Sequence, residues 1–294
     1  MDIQYLSSKA SALHLATHSI AHGMRSGSFR SMYSGRGFEF AGVRDYLQGD
    51  DVRTIDWNVT ARMGRPYIKL YNEERELIIF IILDASLSMK NSGFSKGPSP
   101  FQVGTELATL LYLAGLQNNS PLGGVFFDGI IRYSSVPHTG KNQCMYLISQ
   151  LEALSQQDNQ GTALPGAIRG ASKILKNRSL VAIISDFKCG GYEDELARLG
   201  QKHDVVAFRI TDPMESNLPA IGTLSFVDPE TQKKQRFSTS SSRFQKEWKE
   251  YNKNHIERWQ QTCSRRGVTP VVIGTDQDYI QELIRFFSIK EGGR

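Results

Sequence analysis

The strongest constraint on the fold is a set of short, uninterrupted apolar segments that alternate with segments of helical spacing. Leu77–Leu83 reads LIIFIIL, and the segments 179–185 (SLVAIIS) and 204–210 (DVVAFRI) share its β-branched character. Apolar runs of this length without polar alternation are typical of strands that are buried on both faces. Because helical segments separate them, they predict an α/β protein with a doubly wound, mostly parallel sheet.

The chain of 294 residues is predicted to divide at about residue 76. Residues 77–294 form the doubly wound domain, which carries a β-hairpin and a long helix as an insertion at about residues 211–266. Residues 1–76 form an N-terminal α/β extension with a helix, an Arg/Gly/Ser-rich loop and a block that is dense in aromatic residues. Since aromatic surface is costly to expose to water, we expect residues 38–76 to pack on the domain as short strands and turns.

The composition excludes several classes of protein. Hydrophobic residues make up 39% of the chain and charged residues 22%, which is typical of a folded globular protein. A membrane-spanning helix needs about 20 apolar residues, and no run of that length occurs. The first residues do not combine a basic leader with an apolar stretch, and the three cysteines are isolated in sequence. We therefore expect a cytoplasmic protein with reduced thiols and no membrane span.

Oxygen-bearing side chains follow two of the predicted strands and precede one of the predicted helices. Asp84, Ser86 and Ser88 alternate directly after LIIFIIL. Thr162 stands just before a helical segment, and Asp186 follows SLVAIIS. The carboxyl ends of parallel strands meet at one edge of a sheet, where ligands bind. Two carboxylates and three hydroxyls suit a hard divalent cation, so we predict Mg²⁺, with Mn²⁺ or Ca²⁺ as alternatives.

Other interpretations of this segment explain less. Asp84 and Ser86 could merely cap the following helix, but capping does not account for Thr162 and Asp186. A nucleophilic Ser86 would be expected in a G-x-S-x-G turn, which the chain lacks, and no phosphate-binding G-x-x-x-x-G-K-[ST] loop occurs. We therefore expect the protein to have no catalytic activity. A metal-assisted hydrolase is the alternative, and it would need a general base.

The order Asp-x-Ser-x-Ser, then Thr, then Asp resembles the metal-ion-dependent adhesion site of von Willebrand factor A-like domains. The resemblance implies a fold of that type. It also implies that Ser86, Ser88 and Thr162 supply hydroxyl ligands. Asp84 and Asp186 would then bind the ion directly or through water.

A second resemblance rests on the block from Phe38 to Arg62. The block reads F-x4-VRDY-x2-GDD-x-R-x-IDW-x3-AR. The residues that carry the resemblance include Arg44, Tyr46, Gly49, Asp50, Asp51, Arg53, Asp56, Trp57 and Arg62. Together with DPME at 212–215 and DPET at 228–231, it resembles the signature of the domain of unknown function 58 family. The resemblance runs from about residue 15 onward. It implies a companion of MoxR-type AAA+ ATPases in chaperone-like or complex-assembly roles.

The charges of this signature block also predict local structure. The triplet Gly49–Asp51 is a turn signal, because aspartate side chains in turns bond to nearby backbone groups. The arginines and aspartates of the block are predicted to form an ion-pair network that pins the extension to the domain. A second docking surface is the alternative interpretation.

These observations predict a metal-ion-dependent protein-interaction adaptor. Neutral hydroxyl ligands leave the cation incompletely neutralised, so an acidic side chain of a protein partner is expected to complete its coordination. The predicted partner is a MoxR-type AAA+ ATPase or its client, and Lys90 and Lys96 on the rim would favour an acidic approach. Nucleic-acid binding through the loop 25–36 is the weaker alternative, because three arginines over twelve positions are more typical of a solvated loop.

Overall fold

The structure is a computed structural model that describes residues 38–73, 77–91, 97–156, 161, 163–220, 222–227 and 234–289. The predicted N-terminal helix, the Arg/Gly/Ser-rich loop, Lys96 and Thr162 lie outside these residues. The described residues belong to two compact units, one over residues 38–73 and one over residues 77–289. The predicted packing of the extension on the domain therefore stays a prediction.

The smaller unit is an antiparallel hairpin with helical turns in its connection. Strand β1 (Phe38–Asp45) pairs with β2 (Tyr67–Glu73), and a 3₁₀ turn (Val52–Thr54) and helix α1 (Trp57–Met63) lie between them. The strands and turns agree with the sequence prediction. Helix α1 was missed, because seven residues are too few to display a helical period.

The larger unit is built on a six-stranded sheet. The described residues contain eight further strands, which are β3 (Ile78–Asp84), β4 (Leu122–Phe127), β5 (Ile131–His138), β6 (Ser179–Ser185), β7 (Asp204–Thr211), β8 (Thr223–Val227), β9 (Lys234–Ser238) and β10 (Thr269–Gly274). The sheet has the order β10-β7-β6-β3-β4-β5 and is parallel except for β5. Strands β8 and β9 pair separately as the predicted hairpin. The predicted α/β fold class with a doubly wound, mostly parallel sheet is confirmed.

Helices cover both faces of the sheet. They are α2 (Leu87–Lys90), α3 (Pro100–Gln117), α4 (Lys141–Ala153), α5 (Leu164–Ile174), α6 (Glu193–Lys202), α7 (Pro213–Ser216), α8 (Ser242–Arg265) and α9 (Tyr279–Ile289). In the described ranges, none of them combines the length and the apolar composition that a membrane span requires.

The apolar run of β3 faces two cores at once. Ile79, Ile81 and Leu83 pack with α3, α4 and α9 on one face of the sheet. Phe80 and Ile82 pack with α5, α6 and the end of α8 on the other face. Because successive side chains of a strand point to opposite faces, a central strand with two cores must be apolar at every position. This is the physical reason for the uninterrupted LIIFIIL segment.

The strand order creates a switch point beside β3. The chain runs outward from β3 through β4 and β5, and then crosses to the other side of β3 to build β6, β7 and β10. In doubly wound sheets, ligands bind in the crevice at this reversal, at the carboxyl ends of the strands. Asp84 ends β3 and Asp186 follows β6. The topology therefore brings the two predicted carboxylates to the switch point.

Gly124 in β4 sets how closely α3 approaches the sheet. A Cβ atom there would lie 2.6 Å from the Tyr112 hydroxyl and 2.8 Å from the Ile81 carbonyl oxygen. Because that backbone cannot easily move, we expect Gly124→Ala to lower the free energy of unfolding by about 1–3 kcal/mol in urea denaturation. Gly166 in α5 has open space around its Cβ position and is the matched control. An equal loss in Gly166→Ala would contradict the steric explanation.

Candidate functional site

Asp84 is a buried carboxylate whose two oxygens both accept hydrogen bonds. The Ser86 backbone N–H donates to Oδ1 at 2.9 Å, and the Ser185 hydroxyl donates to Oδ2 at 2.6 Å. Burial, and then the negative charge of Asp186, raise the pKa of Asp84 to about 7, although the hydrogen bonds oppose this shift. The ionised form of Asp84 is therefore costly in the protein alone, and a nearby cation would stabilise it.

Asp186 contributes a carboxylate oxygen that is buried and unsatisfied. Its Oδ1 accepts the Lys188 backbone N–H at 3.1 Å, whereas its Oδ2 has no hydrogen-bond partner among the described residues. The next residue, Phe187, has φ = 52°, in the left-handed backbone region that residues other than glycine rarely adopt. Its buried ring packs on Trp259 with centroids 5.0 Å apart. Packing of the Phe187 ring thus holds a strained backbone directly after Asp186.

The two serines of the site face each other. Ser86 Oγ lies 3.0 Å from Ser88 Oγ, with Ser86 buried and Ser88 partly buried. Ser86 is the N-cap residue of α2, but its side chain makes no capping hydrogen bond. The capping interpretation therefore does not describe what the Ser86 hydroxyl does. The two hydroxyl groups thus lie next to each other, close to the turn at Asp84.

Thr162 lies outside the described residues, but its two neighbours lie at this edge of the sheet. The Ala163 N–H donates to the carbonyl oxygen of Asp128 at 2.9 Å, and Asp128 directly follows β4. A Cβ on Gly161 would lie 3.6 Å from the Cα of Gly129. Gly161 and Ala163 thus lie beside the residues that follow β4, and the ligand role of Thr162 stays a prediction.

The oxygen donors fit a hard divalent cation. Carboxylate and hydroxyl oxygens are the ligands that Mg²⁺, Mn²⁺ and Ca²⁺ prefer. The buried Oδ2 of Asp186 accepts no hydrogen bond from the described residues, and a directly bound cation would satisfy it. Within the described ranges, no three His, Cys, Asp or Glu side chains converge as a metal site. A cation here would therefore depend on two carboxylates together with hydroxyls.

Of the two lysines predicted for the rim, one is described and it contacts an aromatic ring. Lys90 Nζ lies over Phe101, 5.6 Å from the ring centroid. Lys96 is outside the described residues, so the predicted rim role of both lysines stays a prediction.

A lysine that the sequence analysis did not single out lies beside Asp186. Lys188 Nζ is 2.8 Å from Glu215 Oε1 and 3.8 Å from Asp186 Oδ2. Burial lowers the pKa of Lys188, but the charges of Glu215 and Asp186 outweigh burial and leave it raised. The available sequence signal was a cation two residues after the predicted ligand. Its pairing with Glu215 could not be recognised without the fold.

The charges of the signature block act largely within the smaller unit. Both Arg44 guanidinium Nη atoms donate to the Asp50 carboxylate at 2.8 Å. This bidentate bond raises the pKa of Arg44 and lowers that of Asp50. Asp51 and Asp56 accept backbone N–H groups at the starts of the 3₁₀ turn and of α1. The aspartates therefore cap and brace the connection, and among the described residues the predicted network contains one ion pair, Arg44 with Asp50.

The remaining signature residues lie around this connection. Gly49 has φ = 107°, which confirms the predicted turn, and the Tyr46 N–H donates to the Pro66 carbonyl oxygen at 2.8 Å. Within the described part of the chain, Arg53 and Arg62 form no ion pair. The Trp57 side chain is 69% exposed, so burial does not explain its presence in the signature.

Comparison with known proteins gives one family match and several distant relatives. Residues 42–258 match the family model described as "Protein of unknown function DUF58". An uncharacterized protein of Mycobacterium tuberculosis is 23% identical over 302 aligned positions, covering 100% of this chain and 92% of the relative. An aerotolerance-related membrane protein of Bacteroides fragilis aligns with a TM-score of 0.45 and 16% identity, covering 74% of this chain and 100% of that one. The manganese-loaded TRAP protein of Plasmodium vivax aligns with a TM-score of 0.31 and 14% identity, covering 45% and 57%.

Proposed function

This chain belongs to the DUF58 family, and from that membership and the site itself we propose that it is a metal-ion-dependent protein-interaction adaptor. One observation carries the proposal. The buried Oδ2 of Asp186 accepts no hydrogen bond from the described residues, and the nearby Lys188 ammonium stays 3.8 Å away. This atom lies at the switch point of the sheet, near Asp84 and a pair of facing serine hydroxyls. A divalent cation is the ligand that would satisfy these groups together.

The residues around the site hold its ligands in place. Ser185 and the Ser86 backbone N–H orient the Asp84 carboxylate, and the strained Phe187 backbone directs Asp186. Asp84, Asp186 and the two serines would hold Mg²⁺ or Mn²⁺, with Thr162 as a further ligand. The bound ion would offer a coordination position to an acidic side chain. Among the described residues only Asp84 and Asp186 would supply negative charge to it, so a carboxylate from a partner is favoured.

The surroundings support binding rather than hydrolysis, the alternative function. A hydrolase would need a general base within reach of the ion. Among the described histidines, His138 ends the antiparallel β5 and His203 precedes β7, so both lie at the opposite edge of the sheet. His255, on α8, lies within electrostatic range of Glu215 and Lys188, and its Nδ1 is 3.2 Å from Arg209 Nη1. Burial, and then the positive charge of Arg209, lower the pKa of His255, which makes it a weak base. Both oxygens of Asp84 already accept hydrogen bonds. We therefore propose that the protein has no catalytic activity of its own.

The proposed partner is a MoxR-type AAA+ ATPase or a client of one. The resemblance of the signature block suggests the ATPase, and the chemistry of the site suggests an acidic side chain on it. The nucleic-acid alternative rests on a loop outside the described residues, and we do not favour it.

Capture of partners on the immobilised protein tests this function. We expect a MoxR-type ATPase or its client to bind in Mg²⁺ and to be released by chelator at constant ionic strength. Asp84→Ala should abolish capture while circular dichroism shows a folded protein. Asp194→Ala removes an exposed carboxylate of α6 and should leave capture intact. Capture that survives both chelator and Asp84→Ala would show that the site is not used for binding.

A further inference from the structure

Lys188 lies between two carboxylates, only one of which belongs to the candidate metal site. Its Nζ is 2.8 Å from Glu215 Oε1, at hydrogen-bond distance, and 3.8 Å from Asp186 Oδ2, which accepts no hydrogen bond from the described residues. The Lys188 side chain is 48% exposed, whereas those of Glu215 and Asp186 are 12% and 6% exposed. The ammonium can therefore shift towards solvent, while the two carboxylates are held by the protein.

Glu215 is fixed by its surroundings. It lies on α7, where Asp212 caps the helix by accepting the Met214 N–H at 2.8 Å. Its second oxygen, Oε2, is 3.9 Å from Nη2 of the buried Arg209. The DPME segment, which the function has not otherwise used, thus places a carboxylate where it attracts the Lys188 ammonium away from Asp186.

We propose that the Lys188 ammonium competes with the divalent ion for the Asp186 carboxylate. Glu215 attracts Lys188 away from Asp186 and so leaves Asp186 available to the ion. The proposal rests on the function proposed above and adds a control on ion affinity. A divalent ion on Asp186 Oδ2 would repel the nearby ammonium, so Lys188 lowers the affinity of the free protein for the ion. A partner's carboxylate would offset that repulsion, which couples retention of the ion to partner binding.

Binding of Mn²⁺ to the metal-free, full-length protein, followed by electron paramagnetic resonance of the free ion, tests this competition. Lys188→Met keeps an unbranched side chain that is one atom shorter and removes its charge. We expect it to raise Mn²⁺ affinity by about threefold or more at low ionic strength, and less at high salt. Lys141→Met, at the start of α4 and at the opposite edge of the sheet, should change nothing. Because misfolding would lower affinity, it cannot mimic the expected gain.

Glu215→Gln should act in the opposite direction. With the carboxylate removed, Lys188 would move onto Asp186, and Mn²⁺ affinity should fall by about threefold or more. The double variant Lys188→Met/Glu215→Gln distinguishes the movement of Lys188 from the direct attraction between the Glu215 charge and the ion. If Glu215 acts through Lys188, its substitution has little effect in the Lys188→Met protein. An equal fall in both backgrounds would overturn the role assigned to Glu215.

The outcomes distinguish this inference from the proposed function. If the wild type and Asp186→Ala bind Mn²⁺ equally, the ion lies elsewhere and both proposals fail. If Asp186→Ala abolishes binding while Lys188→Met leaves the affinity unchanged, the metal site stands and the competition is wrong.

Discussion

Asp186→Ala is expected to weaken Mg²⁺ binding by about 100-fold or more, because it removes one of the two charged ligands of the candidate site. The lost Oδ2 atom is buried and accepts no hydrogen bond from the described residues, so the fold should lose little stability with it. Titration calorimetry on the metal-free wild type and variant measures the change.

A surface carboxylate provides the control for this prediction. Asp194→Ala removes an equal charge from an exposed position in α6 and should leave the affinity for Mg²⁺ unchanged. Equal and measurable affinities in the wild type and Asp186→Ala would place the ion at another site. Weak binding in the wild type is compatible with the proposal, provided that Asp186→Ala weakens it further.

The second large effect concerns the pH dependence of stability. The pKa of Asp84 is about 7 in the folded protein and 3.8 in the reference unfolded state. Between these values the folded state holds a proton that the unfolded state has lost, so stability falls as the pH rises towards 7. The side-chain amide that Asp84→Asn introduces cannot ionise. From pH about 4 to about 8, we expect the wild type to lose up to about 4 kcal/mol relative to this variant.

Urea denaturation of both metal-free proteins across this pH range measures the difference. Saturating Mg²⁺ is the control, because a bound cation compensates the ionised carboxylate and should remove the decline in the wild type. Asp84→Asn should respond much less to Mg²⁺. Parallel pH profiles for the two metal-free proteins would show that Asp84 does not titrate with a raised pKa.

Much of the larger unit could be predicted from the sequence because its pattern is repetitive. An uninterrupted apolar run such as 78–83 can be accommodated only where both faces of a strand are buried, and a parallel sheet provides that environment. The helices between the strands then force crossover connections. In the smaller unit, α1 was missed because its start depends on the Asp56 cap and not on any period.

The sequence by itself determined that Asp84 ends one buried strand and that Asp186 directly follows another, and general rules of α/β topology then placed both carboxylates at one edge. Only the tertiary structure decided what surrounds them. The pairing of Lys188 with Glu215, the strained backbone of Phe187 and the unsatisfied Oδ2 of Asp186 all depend on contacts between separate elements. Such contacts leave no periodic trace along the chain, because they arise when distant segments meet across the sheet. Periodicity specifies which face of an element is buried, whereas the neighbours it meets are set by the folded chain.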